Sequence, residues 1–107
     1  MADDLSRAFL DVLDERVRQV NVKGHTPERD DHYPRGELAL AEAAYAGRAA
    51  GVAMSSTTVC SYALYLYPWA MSGFHQKNYR SDMVRAAALI IADIEAFDRA
   101  EARKAGV

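Results

Sequence analysis

Leu5, Phe9, Leu13, Val17 and Val20 recur at three- and four-residue steps near the start of the chain, with Arg7, Asp11, Asp14 and Arg18 between them. That spacing predicts an amphipathic helix with its apolar stripe turned to a core. Asp3 or Asp4 is its expected cap and Gly24 its expected stop. Met83, Ala87, Ile90, Ile94 and Phe97 repeat the pattern near the other end, and Val84, Ala88 and Ile91 widen it. The last helix is therefore expected to bury both flanks, with Ser81 as its cap and Asp82 in its first turn. The matched stripes predict that the two helices pack through Phe9, Leu13 and Val17 against Ile90 and Ile94. The charged segment 99–107 reads as a frayed tail.

Between these helices the pattern changes twice. Residues 23–36 (KGHTPERDDHYPRG) hold two prolines and few apolar positions, and read as a long polar loop. Thr26 before Pro27 can start one helical turn within it. From Glu37 to Ala50 an alanine-rich run predicts a second helix with Leu38, Ala41, Tyr45 and Ala49 on one face, ended by Gly51. Residues 52–67 carry both strand-favouring residues (Thr57, Thr58, Val59 and the tyrosines 62, 65 and 67) and a helical spacing of Val59, Tyr62, Ala63 and Leu66. A short helix is the expectation there, followed by an aromatic loop, YPWAMSGFHQKNYR, over 67–80. The fold class expected is all-α: a small helical bundle, residues 1–107 as one domain.

Composition narrows the class. Of 107 residues, 50% are hydrophobic and 26% charged, a globular profile. A net charge of −2 makes direct nucleic-acid binding a poor default. One cysteine, Cys60, excludes an internal disulfide and suits a reducing cytoplasm, here expected to be that of a bacterial host. No apolar run reaches membrane-spanning length, and Asp3 and Asp4 stand where a secretory signal would be basic. The chain is short and its last helix has more apolar surface than one stripe, so a homodimer is expected.

The polar loop and the helix ends hold the candidate chemistry. Glu15, Asp30, Asp31, Glu37 and Asp82 are carboxylates that a bundle could gather around magnesium, a hard cation that takes oxygen ligands and bridges phosphates. Solvated charges, caps and ion pairs with neighbouring arginines are the simpler reading of the same residues. His25, His32 and His75 match no zinc spacing, and Cys60 has no visible catalytic partner. Tyr62, Tyr65, Tyr67, Trp69 and Phe74 either cap the core or form an exposed platform for a base or a partner protein.

Three segments together carry a resemblance: Glu15-Arg16-x-Arg18-Gln19 leading to Gly24; Asp30-Asp31-His32 with Gly36-Glu37-Leu38-Ala39; and Arg80-Ser81-Asp82-Met83-Val84 through Ala86-Ala87-Ala88 to Ile94-Glu95. The pattern resembles small helical proteins of phages and prophages, and through them a remote branch of the MazG-like nucleotide pyrophosphohydrolases. The resemblance implies a helical bundle that binds magnesium and a nucleoside triphosphate and releases pyrophosphate. In that family the metal sits on a Glu-x-x-Glu helix and a later Glu-x-x-Asp helix. Here Leu40 follows Glu37, and Arg85 follows Asp82, where those patterns want carboxylates; a Glu95-x-x-Asp98 pair lies near the end of the last helix.

Two readings follow. In the first, Glu15, Asp30, Asp31, Glu37 and Asp82 hold magnesium, with Asp31 the preferred base and Glu37 a second catalytic carboxylate. Trp69 then stacks the nucleobase and Arg80 holds a phosphate oxygen. In the second, the chain is a non-enzymatic phage accessory protein that occupies a host defence complex, in the manner of an anti-CRISPR protein.

Overall fold

The computed structural model describes residues 4–24, 26–33 and 36–106. These form five α-helices and one 3-10 turn: α1 (Arg7–Asn21), α2 (Pro27–Asp30), α3 (Glu37–Ala53), α4 (Thr57–Leu66), the 3-10 turn Met71–Gly73, and α5 (Tyr79–Lys104). No strand occurs among the described residues. The all-α class expected from the sequence is what the chain adopts, and the ambiguous run after α3 is helical.

Local chemistry sets the boundaries. Ser6 caps α1, its hydroxyl accepting from Phe9 N at 3.3 Å, so the cap falls later than Asp3 or Asp4. Thr26 caps the single turn α2 with Pro27 at its first position, where proline loses no helical hydrogen bond. Gly36 enters α3 at φ +101°, a backbone conformation that favours glycine. Asn78, rather than Ser81, caps α5; its Oδ1 accepts from Ser81 N at 2.9 Å. That helix runs on through Arg99 to Lys104, because Arg99 and Arg103 both grip Asp31.

Gly51 does not end α3, which continues to Ala53. It lies where α3 and α4 touch: a Cβ there would stand 2.7 Å from Cys60 Sγ and 2.8 Å from Cys60 N. One turn earlier, a Cβ on Gly47 would meet Ala63 Cβ at 3.0 Å. The missing side chains let the two backbones approach, so α3 and α4 form a tight antiparallel hairpin around a turn that includes Ser55 at φ +55°.

α3 is the hub. It packs on α4 on one side and α5 on the other, while α1 and α2 lie against α5. Leu38, Ala41 and Tyr45 from α3 meet Ala86, Leu89 and Ala92 from α5, with Tyr33, Tyr67, Trp69 and Phe74 packed over them. Of the ten buried hydrophobic residues described, seven are alanines. The large aliphatic side chains lie elsewhere. Phe9, Leu13, Val17, Ile90 and Ile94 are all exposed, Phe9 at 63% and Ile94 at 54%, so the expected packing of α1 on α5 through these residues does not hold. α1 instead turns Arg16 and Gln19 inward.

The reason is electrostatic. Asp30 and Asp82, 2% and 1% exposed, are the largest fully buried side chains described, and a buried carboxylate needs donors. Arg16 Nη2 donates to Asp30 Oδ2 at 3.3 Å while its Nε donates to Glu95 Oε1 at 3.2 Å, tying α1 to both α2 and α5. No helix among the described residues is long and apolar enough to cross a membrane.

Candidate functional site

The C-terminal half of α1, the middle of α5 and the aromatic loop enclose a cavity of about 440 Å³, a volume within the range of small-molecule sites. α3 holds the loop in place. Tyr45 OH accepts from His75 N at 3.1 Å and donates to Gly73 O at 3.4 Å. Glu37 Oε1 accepts from the Trp69 indole N–H at 2.9 Å. Tyr45 and Phe74 stack with ring centroids 4.5 Å apart, Tyr67 meets both edge-on, and Tyr33 lies 5.0 Å from Trp69. Trp69, Tyr67 and Phe74 thus cap the core, as the first of the two readings of the aromatic group expects. Tyr62 and Tyr65 are exposed on α4, Tyr65 at 87%. Burial and the neighbouring Tyr45 push the Tyr67 phenol up to about 12.

One wall of this cavity is aromatic and the other is charged. Arg18, Lys23, Arg29 and Arg85 line it together with Glu15 and Gln19. Glu15 takes two 2.7 Å hydrogen bonds from Arg18, one of 3.3 Å from Gln19 Nε2, and lies 3.9 Å from Arg85 Nε. Burial raises the Glu15 pKa, but the Arg18 hydrogen bonds and the charges of Arg18 and Arg85 outweigh it, and the carboxyl ends below its ordinary value. Arg85 lies over the Tyr45 ring, 4.9 Å from its centroid. Its buried Nη1 has no hydrogen-bond acceptor, and the buried Gln19 Oε1 has no donor. Unpaired buried polar atoms cost free energy, and these two flank the cavity from α5 and α1. Beyond Arg85 a second groove of about 290 Å³ shares Glu15, Arg18 and Arg85 and adds Lys77 and Arg80.

The five carboxylates expected to hold magnesium do not meet at this place. Glu15 lines the cavity, and Glu37 touches it through Trp69. Asp82 is buried in the first turn of α5, where its Oδ1 accepts from Lys77 N at 3.0 Å and fixes the loop entering the helix. Asp30 and Asp31 line a different cavity, beside Asp93 and Arg103. Asp31 takes bonds of 2.8 and 3.0 Å from Arg99 and one of 3.4 Å from Arg103; the Arg99 hydrogen bonds, opposed by desolvation and helped by the charges of Arg99 and Arg103, hold its pKa below its ordinary value. Burial raises the Asp30 pKa, with Arg16 and Arg99 opposing. Among the described residues no three His, Cys, Asp or Glu stand together in a way that could hold a metal ion; His25 lies outside those residues.

Trp69 and Arg80, the residues expected to hold substrate, lie on the two adjoining grooves, with Arg80 paired to Asp11 at 2.8 Å. The sequence reading missed Arg18, Gln19, Tyr33, Tyr45 and Arg85 as cavity residues. Arg85 left a signal, a cation three residues after Asp82 on the last helix. No family model, no curated protein and no solved structure matches this chain.

Proposed function

We propose that the chain binds a nucleotide, its base against Trp69 and Tyr33 and its phosphates toward Arg18, Arg85 and the groove that carries Lys77 and Arg80. One observation carries the reading: two guanidinium groups, those of Arg18 and Arg85, line both grooves and bring N–H donors to an anion there. A phosphate oxygen is the partner such a donor fits, because charge-assisted hydrogen bonds to guanidinium are strong. An aromatic wall beside it suits a base, since stacking accepts any base face. The carboxylates do not form a resident magnesium site among the described residues, so any magnesium would arrive on the triphosphate, in a groove that also carries Asp11, Asp14 and Glu15. The reading is therefore of a nucleotide binder with a degenerate site, derived from a pyrophosphohydrolase-like plan.

Trp69 is the single tryptophan, so its fluorescence reports on the cavity directly. Titration with ribo- and deoxynucleoside mono-, di- and triphosphates, with and without magnesium, should quench it saturably for at least one of them. Arg85→Gln should abolish that quenching while leaving the helical circular dichroism intact. No quenching and no calorimetric heat with any nucleotide at millimolar concentration would sink the proposal. Pyrophosphate release in the same panel separates turnover from binding. A second reading, occupation of a host protein complex by a phage accessory protein, is favoured by the exposed Tyr62 and Tyr65 on α4, because tyrosine is enriched at interface hot spots.

A further inference from the structure

The cavity that holds Asp30 and Asp31 is as large as the aromatic one, about 440 Å³, and the nucleotide reading makes no use of it. Its walls come from the end of α2 and the residues after it, the start of α3 and the C-terminal half of α5. Tyr33, Leu38, Ile94 and Phe97 make their apolar part, together with Ala96 and Ala100. Ile94 and Phe97 are 54% and 47% exposed, so large apolar side chains stand in water on a concave surface, where a ligand would cover them.

The charged part of this cavity is unequally paired. Arg16 bridges Asp30 and Glu95, while Arg99 and Arg103 both hold Asp31. Asp93, half-buried on the same wall, has no ion pair among the described residues. Asp30 has an acceptor to spare as well. Its side chain is fully buried and Arg16 engages Oδ2, but Oδ1 accepts no hydrogen bond among the described residues. Arg16 itself lines a different groove, with Val17, Val20 and Glu95. A buried carboxylate oxygen without a donor is costly. Burial raises the Asp30 pKa, with Arg16 and Arg99 opposing, so one more positive charge would help to keep the group ionised. A metal ion does not fit the place, because no three ligating side chains converge among the described residues and apolar walls leave a hard cation short of oxygens.

We infer that this cavity is a second ligand site, for a small organic amine that carries a primary ammonium group on an apolar body. The ammonium brings three donors and no acceptor, which answers Asp93 and the open Asp30 oxygen. The hydrocarbon lies against Leu38, Ile94 and Phe97. Ammonium–carboxylate hydrogen bonds are strong, and more so where apolar walls exclude water. Neither carboxylate lines the grooves proposed for the nucleotide, so the inference does not rest on that reading.

Calorimetric titration of the full chain with 2-phenylethylammonium tests it, with the uncharged 2-phenylethanol as the control of matched size. The amine should bind with a dissociation constant of about a millimolar, ordinary for so small a ligand, and the alcohol about tenfold more weakly or worse. Asp93→Asn keeps the side-chain shape and should weaken amine binding about tenfold. Ala100→Phe fills the cavity and should abolish binding; Ala96→Leu serves should circular dichroism show that the larger ring unfolds the chain. Arg85→Gln, in the nucleotide grooves, should leave amine binding unchanged. No heat from the amine at tens of millimolar, or an alcohol that binds equally well, would overturn the inference. So would amine binding that survives Asp93→Asn or the cavity-filling substitution undiminished, or that is lost in Arg85→Gln.

Discussion

Replacing Gly51 by Ala adds one methyl group where α3 and α4 approach closely. On an exposed helix that exchange stabilises by about 1 kcal/mol, because glycine is the poorer helix former. At Gly51 the new Cβ would stand 2.7 Å from Cys60 Sγ and 2.8 Å from the Cys60 backbone nitrogen. The sulfur is on a side chain and can be removed; the nitrogen belongs to α4 and moves only if the helix moves. Overpacking of this kind costs about 1–3 kcal/mol, which outweighs the propensity gain, and a net loss of about 1–2 kcal/mol is expected. For a domain of this size that lowers the melting temperature by about 4–8 °C per kcal/mol. Cys60→Ala in the same background should not restore stability, since the backbone contact persists. Gly47→Ala offers the contrast: its added Cβ meets only the Ala63 side chain closely, at 3.0 Å, so Ala63→Gly should relieve that clash, less the helix-propensity cost of the new glycine. Thermal and urea melts of the four variants decide the matter. A Gly51→Ala protein as stable as the wild type would refute the close approach of α3 and α4.

Arg16→Met should destabilise by about 3–5 kcal/mol in a urea melt, because it leaves the Asp30 carboxylate buried without its donor; Asp30→Asn added to Arg16→Met should recover part of that loss. Asp31→Asn should cost about 1 kcal/mol at neutral pH. The folded Asp31 pKa is lowered, so its contribution is present above the unfolded value of about 3.9 and fades as pH falls through the folded one. The gap between wild type and Asp31→Asn should therefore close under acid, and a gap independent of pH would refute the ion pair with Arg99. In ultraviolet titration of tyrosinate, Tyr67→Phe should remove a step near pH 12, matching the raised Tyr67 value.

Helix positions were legible from the chain because they depend on local chemistry: Thr26 before Pro27, the alanine run after Glu37, and the long apolar repeat in α5. The buried faces were less so. The strongest apolar stripe of α1 predicts burial of Phe9, Leu13 and Val17, yet the side turned to α5 carries Arg16 and Gln19. Arg16 is drawn in by Asp30, fourteen residues away, and Glu95, seventy-nine away, and one-dimensional periodicity contains no trace of such pairings. The candidate site was half visible for the same reason. Trp69 is conspicuous by type and Arg80 by its place in the third segment, but Arg85 gains its meaning from Tyr45 and Glu15, which reach it from two other helices.

The Gly51–Cys60 contact also bears on the order in which the chain folds. It joins residues nine positions apart, whereas Arg16 and Glu95 must find each other across seventy-nine. Closing a short loop sacrifices less chain entropy than closing a long one, and local contacts speed folding. The α3–α4 hairpin is thus the natural nucleus, and α1 the last element to dock. Substitutions at Gly51 should slow folding, while those at Arg16 should chiefly hasten unfolding. A nascent chain emerging from the ribosome would hold α1 unpaired until α5 is complete. The Arg16 and Gln19 side of α1 and the face of α5 on which it docks would stay uncovered in that interval, when an incompletely folded chain is most prone to aggregate.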